Sequence, residues 1–364
     1  MLSDGVGLSA RADSAPVSLR HIPSLDGIRA LSVLLVFFAH AGLDRVVPGG
    51  LGVTIFFFLS GYLITTLLRV EYQKNLRISV RHFWLRRVLR IMPPFYAVLC
   101  ATVVATSMFS PGTLKSIPVL AQFLIFTNYW AIWYGSTGQP AGTGIFWSLA
   151  VEEHFYLVFP WLYIGMRKLD VAPFRQALLL WGICAVILIW RCILVIHFHS
   201  PVDRTYLATD TRVDSILFGC ALAVWRNPVV DRLTLNPRMW KIAILPSACL
   251  LLIFCLIYRL DAFRETFRYT LQGIALNFMF IAAIQFKDWK VFRFLNTRAM
   301  AFLGVLSYSL YLVHFPILNV TKVTFSDYPI AGAALALAAS VGVAWLMYMV
   351  IEKPCARLRR RLID

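Results

Sequence analysis

The sequence predicts an all-α polytopic membrane protein with about 10 transmembrane helices, one further re-entrant or interfacial segment, and both termini in the cytoplasm. Hydrophobic residues make up 59% of the chain and charged residues only 15%, whereas a soluble domain is about half apolar and about a quarter charged. The apolar residues form blocks of about 20, the length that crosses roughly 30 Å of hydrocarbon as a helix. Positive charges lie mainly in alternate loops between these blocks, as in a protein with a fixed orientation in the membrane.

Ten apolar blocks are predicted to span the membrane, and an even number places both termini on one side. With the N-terminus in the cytoplasm, the cytoplasmic side carries 25 Lys and Arg residues and the opposite side carries eight. This excess is what the positive-inside rule predicts for that orientation. The predicted spans are 25–43, 50–69, 88–109, 145–166, 176–197, 212–226, 242–259, 268–286, 299–321 and 329–351.

An eleventh apolar block, residues 117–134, does not fit this topology, because counting it as a span would invert every later helix. It contains Gln122 and Asn128 and ends in a cluster of Trp and Tyr residues. Such residues favour a segment that is buried in protein or lies at the level of the lipid headgroups. We therefore predict that this block re-enters or lies at the interface.

Outside the spans the chain is short and polar, so no appended soluble domain is expected. It divides into a cytoplasmic N-terminal tail (1–24), a transmembrane domain (25–351) and a basic cytoplasmic C-terminal tail (352–364). Residues 1–24 are polar, so no cleavable signal peptide is expected. The seven cysteines lie mostly in apolar blocks without metal-ligand spacing, which indicates packing residues and no metal site. The net charge of +17 lies beside a lipid bilayer, so nucleic acid is not an expected partner.

Ionisable side chains inside a span are costly, so each one is a candidate functional residue. In the first span, Arg29 lies near the cytoplasmic edge and His40 follows eleven residues later in the outer half. Eleven steps of about 100° return to nearly the same helix face, about 16 Å further along the axis. That face could connect a cytoplasmic ligand to chemistry near the outer surface. The alternatives are an arginine that snorkels to the interface and a histidine that makes an interhelical hydrogen bond.

A basic cluster, Arg86, Arg87 and Arg90, leads into the third span just before Pro93 and Pro94. Arg87 and Arg90 are three residues apart and share a helix face. The planar guanidinium binds phosphate through two hydrogen bonds and keeps its charge, so this cluster suits a nucleotide-bearing cytosolic donor such as an acyl-CoA. The alternative is that the arginines only anchor the span on its cytoplasmic side.

Two adjacent carboxylates, Glu152 and Glu153, lie inside an apolar span about a third of the way in from its outer end. Both cannot face lipid. Ser148, Glu152 and Tyr156 recur at intervals of four residues and so share one face. Glu152 is predicted at about the depth of His40, and a carboxylate that orients an imidazole makes it a better general base. A proton-coupled transporter would use the same glutamate and histidine.

Four further polar residues are candidates for a substrate pocket. Arg212 and Asp214 are predicted at the outer entry of the sixth span, and Tyr308 and His314 in the outer half of the ninth. Helix capping and interfacial anchoring by aromatic residues explain them equally well.

Together these motifs resemble membrane acyltransferase family 3, the bacterial integral-membrane O-acyltransferases of surface polysaccharides and related acceptors. The resemblance runs from about Leu25 to Pro354. LDGIRALSVLLVFFAH, with Arg29 and His40, resembles the family's Arg-x10-His pattern, and four other segments match its motifs in order: GGLGVTIFFFLSGYLIT, RRVLR, WSLAVEEHFY and SYSLYLVH. Thr54 departs from the family pattern, since many relatives carry Asp or Asn there.

The resemblance implies transfer of an acyl group, usually acetyl, across the bacterial cytoplasmic (inner) membrane. Acyl-CoA, in particular acetyl-CoA, is the expected co-substrate, and no permanently bound cofactor is expected. The expected acceptor is a sugar hydroxyl of an exported or cell-envelope polysaccharide or of its lipid-linked oligosaccharide precursor. The sequence lacks the hydrolase-like domain of some relatives, which implies a stand-alone enzyme or one with separate partner chains of a polysaccharide assembly system.

By resemblance, His40 is the expected catalytic base or acyl relay, with Glu152 as its support and Glu153 beside it. The residues expected to bind the donor are Arg29, Arg86, Arg87 and Arg90. Two alternatives stay open at this point. The acceptor could be a small secondary metabolite such as a macrolide, or the chain could be a proton-coupled transporter or flippase, which would predict inverted repeats that the sequence does not show.

Overall fold

A computed structural model of the chain describes residue 22 and residues 24–363, and the regular structure in that part is entirely helical. Ten long helices occupy the ten predicted span positions, and two short helices lie between the third and fourth of them. In chain order the helices are α1 (Leu25–Leu43), α2 (Gly49–Asn75), α3 (Val80–Phe109), α4 (Ser116–Phe123), α5 (Thr127–Tyr134), α6 (Trp147–Lys168), α7 (Pro173–His197), α8 (Thr209–Val224), α9 (Pro237–Ile257), α10 (Phe267–Gln285), α11 (Arg298–Thr324) and α12 (Pro329–Leu362). The predicted N-terminal tail falls mostly outside the described residues.

Eight of the described helices are long and apolar enough to cross a membrane, all of the long ones except α6 and α8. α8 has only 16 residues, and α6 contains both candidate glutamates. Two charged side chains of α8 do not face lipid, because Arg212 and Asp214 are fully buried inside the bundle. A helix enclosed by protein does not need the apolar surface that a lipid-facing helix needs. The chain is therefore a multi-pass, all-helical membrane protein.

The predicted re-entrant segment 117–134 is broken into α4 and α5, each of eight residues. The break contains Ile125, whose φ is +56°. Eight residues rise only about 12 Å, so neither helix is long enough to cross the hydrocarbon region. Gln122 donates to Thr143 Oγ1 at 2.6 Å and Asn128 donates to Thr209 Oγ1 at 3.1 Å. Both amides are fully buried, so the segment is attached to the protein through its polar residues, whereas several of its apolar side chains are exposed.

Helices α2 and α8 form the centre of the bundle, where two glycines allow their backbones to touch. A Cβ atom on Gly61 would lie 2.0 Å from the carbonyl oxygen of Ile216, and one on Gly219 would lie 2.0 Å from that of Phe58. Membrane helices that pack this closely need small residues at the contact. The contact fixes α8 against α2 and so places Arg212 and Asp214 deep in the molecule.

Consecutive long helices run in opposite directions, so the loops gather at two ends of the bundle. We call the end that carries loop 44–48 the His40 end, and the other the Arg90 end. Loop 44–48 lies beside the end of α9, since Arg259 Nη2 donates to the carbonyl oxygen of Arg45 at 3.0 Å. At the Arg90 end, Arg86 of α3 forms an ion pair with Glu71 of α2 at 2.6 Å. The predicted basic tail also lies there, where Lys353–Ile363 is helical and packs against α3.

Candidate active site

The two candidate residues of α1, Arg29 and His40, face different cavities. Arg29 lines a cavity that opens between α1, α2, α3, α6 and α11, whereas His40 lines a second cavity at the His40 end. Regular helix geometry predicts that the two side chains share one face. The last turn of α1, Ala39–Leu43, is instead a wider π-helical turn, and Gly42 within it has a φ of 106°. His40 therefore lies in a turn whose rotation per residue differs from that of the α-helical part that carries Arg29.

The first cavity, which we call the arginine cavity, contains three of the four predicted donor-binding arginines: Arg29, Arg87 and Arg90. Arg29 donates to Asp26 Oδ1 at 2.6 Å. The guanidinium of Arg87 lies 5.6 Å from the ring centre of Tyr156, and its buried Nε has no hydrogen-bond partner among the described residues. Much of the remaining wall is apolar, so the cavity combines positively charged groups with an apolar interior.

Glu152 lines the same cavity and forms a hydrogen bond with a residue one turn later on its own helix. Its Oε2 accepts a hydrogen bond from Tyr156 Oη at 2.7 Å, and the same hydroxyl is in short contact with Ser60 Oγ. No hydrogen bond joins Glu152 to His40, both of which lie in the described part of the chain. The predicted i,i+4 face of α6 is thus confirmed, whereas the expected contact between this carboxylate and His40 is not found.

The partner of His40 is His314 of α11, which is fully buried. His40 Nδ1 lies 3.0 Å from His314 Nε2, and His314 Nδ1 lies 2.6 Å from the carbonyl oxygen of Tyr311. A carbonyl oxygen only accepts, so His314 Nδ1 carries a proton and, in the neutral ring, His314 Nε2 is the acceptor. His40 Nδ1 therefore donates to it, and the lone pair of neutral His40 lies on Nε2. This chain of bonds selects the tautomer in which His40 can act as a base through Nε2.

The second cavity, which we call the histidine cavity, is the wider of the two, at about 540 Å³ compared with about 110 Å³ for the arginine cavity. The wall between them is thin, because Val53 and Tyr311 line both. Tyr311 Oη lies 2.6 Å from Ser148 Oγ and donates to the carbonyl oxygen of Ile145 at 3.0 Å. Tyr311 thus links the arginine cavity, through its hydroxyl, to the histidine pair, through its carbonyl.

Two predicted residues lie beside the arginine cavity without lining it. Arg86 donates to Glu71 Oε2 at 2.6 Å, and Glu71 also accepts from the backbone of Ser79, so this arginine ties α3 to the end of α2. Glu153 is adjacent to Glu152 but points about 100° away around the helix. Its Oε1 is buried and has no hydrogen-bond partner among the described residues.

The four predicted substrate-pocket residues are dispersed. Asp214 forms a fully buried ion pair with Arg191, with 2.7 Å between Oδ2 and Nη1. Arg212 is also fully buried and lies 4.1 Å from the ring centre of Tyr269, with Thr54 Oγ1 3.3 Å from its Nη2. Tyr308 lines the arginine cavity and donates to the backbone of Ile91, and His314 partners His40. None of the four is found among the described residues that line the histidine cavity.

Several residues of the site were missed from the sequence. Ser60 is a single hydroxyl in an apolar run, and its place beside Tyr156 shows only once α2 and α6 are packed. The histidine cavity is lined by Arg45, Arg259, Arg264 and Arg268. These four arginines could have been found from the sequence, because they lie on the predicted outer side, where the positive-inside rule predicts few positive charges.

Comparison with known proteins shows which family the chain resembles. A profile of acyltransferase family 3, described as an acyltransferase domain, matches residues 22–349. The chain is 32% identical over 356 residues to the peptidoglycan O-acetyltransferase of Listeria monocytogenes, which covers 93% of this chain and 56% of that protein. It is 30% identical over 355 residues to a putative peptidoglycan O-acetyltransferase of Bacillus subtilis, covering 92% of this chain and 55% of that one. A putative O-acetyltransferase of Staphylococcus aureus is 28% identical over 350 residues, covering 92% and 57%.

The chain spans a little over half the length of these curated relatives. No solved structure matches it significantly. The profile match covers most of the sequence and includes every residue of both cavities. The chain therefore belongs to acyltransferase family 3.

Proposed function

We propose that the chain is a membrane O-acetyltransferase that moves an acetyl group from acyl-CoA to a sugar hydroxyl of a cell-envelope glycan. The observation that carries this proposal is the pair of cavities that meet at Tyr311 and Val53. One cavity offers arginines for a phosphate-bearing donor, and the other offers an imidazole held in the tautomer of a base. We place the Arg90 end in the cytoplasm and the His40 end outside the bacterial cytoplasmic membrane, as the positive-inside rule predicts.

The arginine cavity supports acyl-CoA as the donor. Arg29, Arg87 and Arg90 converge at its wall, and guanidinium groups bind phosphate through paired hydrogen bonds. Arg87 has no carboxylate partner in the described structure, so an anion can bind it without breaking an ion pair. The apolar lining suits the acetyl and pantetheine portions of the donor, which carry no charge.

The histidine cavity supports a bulky polar acceptor. Its volume is within the range of cavities that bind small molecules, and Tyr206, Tyr269 and Gln272 supply polar groups. The names of two relatives state action on peptidoglycan, so we propose peptidoglycan or its lipid-linked precursor as the acceptor. A macrolide would also fit the cavity by size, but nothing in the relatives' names favours it.

The proposed reaction is attack of the acceptor hydroxyl on the thioester carbonyl. His40 Nε2 takes the hydroxyl proton as the new C–O bond forms, and its Nδ1–H bond to His314 stabilises the imidazolium. The C–S bond then breaks, and the proton held by His40 Nε2 passes to the leaving CoA thiolate, so the products are the ester and free CoA and His40 is neutral again. In this scheme Glu152 holds Tyr156 and the neighbouring arginines in place instead of contacting His40.

The proposal is tested with four strains: a deletion, and the deletion complemented by wild type, by His40→Ala or by His197→Ala. His197 is an exposed histidine at the end of α7 and serves as the matched control. Base-labile O-acetyl groups on purified peptidoglycan and exported glycans are measured by proton NMR, at equal protein expression. We expect loss on deletion, and restoration by wild type and His197→Ala but not by His40→Ala. Unchanged acetylation with a fall in exported glycan would instead support the transporter alternative.

A further inference from the structure

Four arginines gather in the histidine cavity, on the side where the sequence carries few positive charges. They are Arg45 in loop 44–48, Arg259 and Arg264 after α9, and Arg268 at the start of α10. Among the described residues, the carboxylates that line the same cavity are Asp44 and Glu265. The cavity therefore has an excess of two positive charges, which needs an explanation other than anchoring in the cytoplasmic leaflet.

The arginines are not neutralised by close ion pairs. Arg259 donates a hydrogen bond to the backbone carbonyl of Arg45, and these two exposed arginines both line the cavity. Arg264 lies 3.6 Å from Asp261, an exposed pair of the kind that contributes little. Arg268 lies 3.6 Å from Glu265, beyond hydrogen-bond distance, and its buried Nε has no partner among the described residues.

A buried amide lies beside these charges. Gln272 lines the cavity one turn after Arg268, and its side chain is only 3% exposed. Its Oε1 has no hydrogen-bond partner within the described structure. An unpaired buried acceptor is costly, and a sugar hydroxyl or amide N–H would satisfy it. Charge and amide together indicate a ligand that is both anionic and rich in hydrogen-bond donors.

We propose that Arg45, Arg259, Arg264 and Arg268 form an anion-binding subsite that holds a carboxylate or phosphate group of the acceptor, with Gln272 binding its sugar. This inference rests on the proposed function and narrows its substrate class to acidic glycans or phosphate-linked precursors. A neutral acceptor would leave the four charges unused. The subsite shares one cavity with His40, so it would hold the anion while the hydroxyl to be acetylated meets the base.

The test uses the full chain in nanodiscs of neutral phosphatidylcholine and a matched pair of probes. The anionic probe is the disaccharide of N-acetylglucosamine and N-acetylmuramic acid, and the neutral probe is chitobiose. Binding of each is measured by calorimetry, and acetyl transfer to each from acetyl-CoA is measured separately. The variants are Arg45→Gln with Arg259→Gln, and Lys115→Gln as the control, an exposed positive charge at the same end outside the cavity.

We expect wild type and Lys115→Gln to bind the anionic probe about tenfold more tightly than chitobiose, and the double variant to lose that preference. If inorganic pyrophosphate displaces the anionic probe from wild type but not from the double variant, the acceptor carries a phosphate group. If wild type prefers the anionic probe and pyrophosphate does not displace it, the acceptor carries a carboxylate. The inference would be overturned if wild type bound both probes equally and pyrophosphate did not compete. It would also be overturned if the double variant kept the preference for the anionic probe. So would loss of the preference in phosphatidylglycerol nanodiscs, which would assign the subsite to a lipid headgroup. Selective binding without any acetyl transfer would contradict the proposed function instead.

Discussion

His40 depends on one buried neighbour for its chemical state. His314 accepts from His40 Nδ1 and is itself fixed by the carbonyl of Tyr311, so the proton on each ring nitrogen follows from the geometry. A histidine with a free choice of tautomer would spend part of its time with the wrong nitrogen facing the substrate. In the proposed mechanism, the hydrogen bond between the two histidines therefore positions His40 as the base.

Substitution of His314 should lower turnover without weakening donor binding. His314→Leu removes the acceptor for His40 Nδ1, and we expect kcat to fall about tenfold to a hundredfold, the usual effect of losing an orienting partner. His314→Gln places a carbonyl oxygen within reach and should recover part of the loss. The measurement is kcat and KM for acetyl-CoA with purified protein. A rise in KM with unchanged kcat would show that His314 binds donor instead.

Arg87 and Arg86 are sequence neighbours with different surroundings, and this predicts different kinetic effects. Arg87 lines the arginine cavity, whereas Arg86 is paired with Glu71. We expect Arg87→Gln to raise KM for acetyl-CoA about tenfold, which is about 1.4 kcal/mol of binding free energy. Arg86→Gln should leave that KM unchanged and lower thermal stability. If Arg86→Gln raises KM as much as Arg87→Gln does, the donor contacts both, as the sequence motif predicted.

At the scale of the helix, α8 shows how a charged segment is built into a membrane protein. Arg191 of α7 donates to the backbone of Thr211 and Thr266 and to Thr270, and it pairs with Asp214. Each nitrogen of this guanidinium has a partner, so the pair connects α7, α8 and α10 without contact with lipid. Asp214 is thus part of the packing that holds α8 and is not exposed to a substrate.

We expect that breaking this ion pair lowers the stability of the fold and does not act through the binding of the acceptor. Asp214→Asn leaves the Arg191 charge buried and uncompensated, and we expect a loss of about 3–5 kcal/mol in the free energy of unfolding. The double variant Arg191→Leu with Asp214→Leu should recover part of this loss, because neither charge remains. Thermal unfolding in detergent gives the comparison. Wild-type stability in Asp214→Asn with a raised KM for the acceptor would support the substrate-pocket prediction.

The sequence predicted features that depend on neighbouring residues better than contacts between residues far apart in the chain. The face of Ser148, Glu152 and Tyr156 follows from helix geometry alone, and the structure confirms it. The predicted start of the third span was residue 88, but α3 begins at Val80, because hydropathy detects the apolar part and not the basic first turns. The contact between His40 and His314 joins residues 274 apart in sequence, and no periodicity can pair them.

At the scale of the whole molecule, all ten predicted span positions are helical, because blocks of this length and composition have no other stable form in a membrane. The π turn at His40 and the thin wall at Tyr311 depend on packing between α1, α2 and α11, which a single sequence does not encode in any short pattern. The sequence therefore predicted the positions of the helices better than it predicted the contacts between them.

The orientation of the bundle is the property on which the direction of acetyl transfer depends. The loop after α10 lies at the Arg90 end and the loop after α11 at the His40 end, and both contain exposed polar residues, Asp288 and Ser326. We expect Ser326→Cys, in a cysteine-free background, to react with a membrane-impermeant maleimide in intact cells. Asp288→Cys should react only after the membrane is permeabilised. The opposite pattern would place the arginine cavity outside the cell, where acyl-CoA is absent, and would contradict the proposed donor.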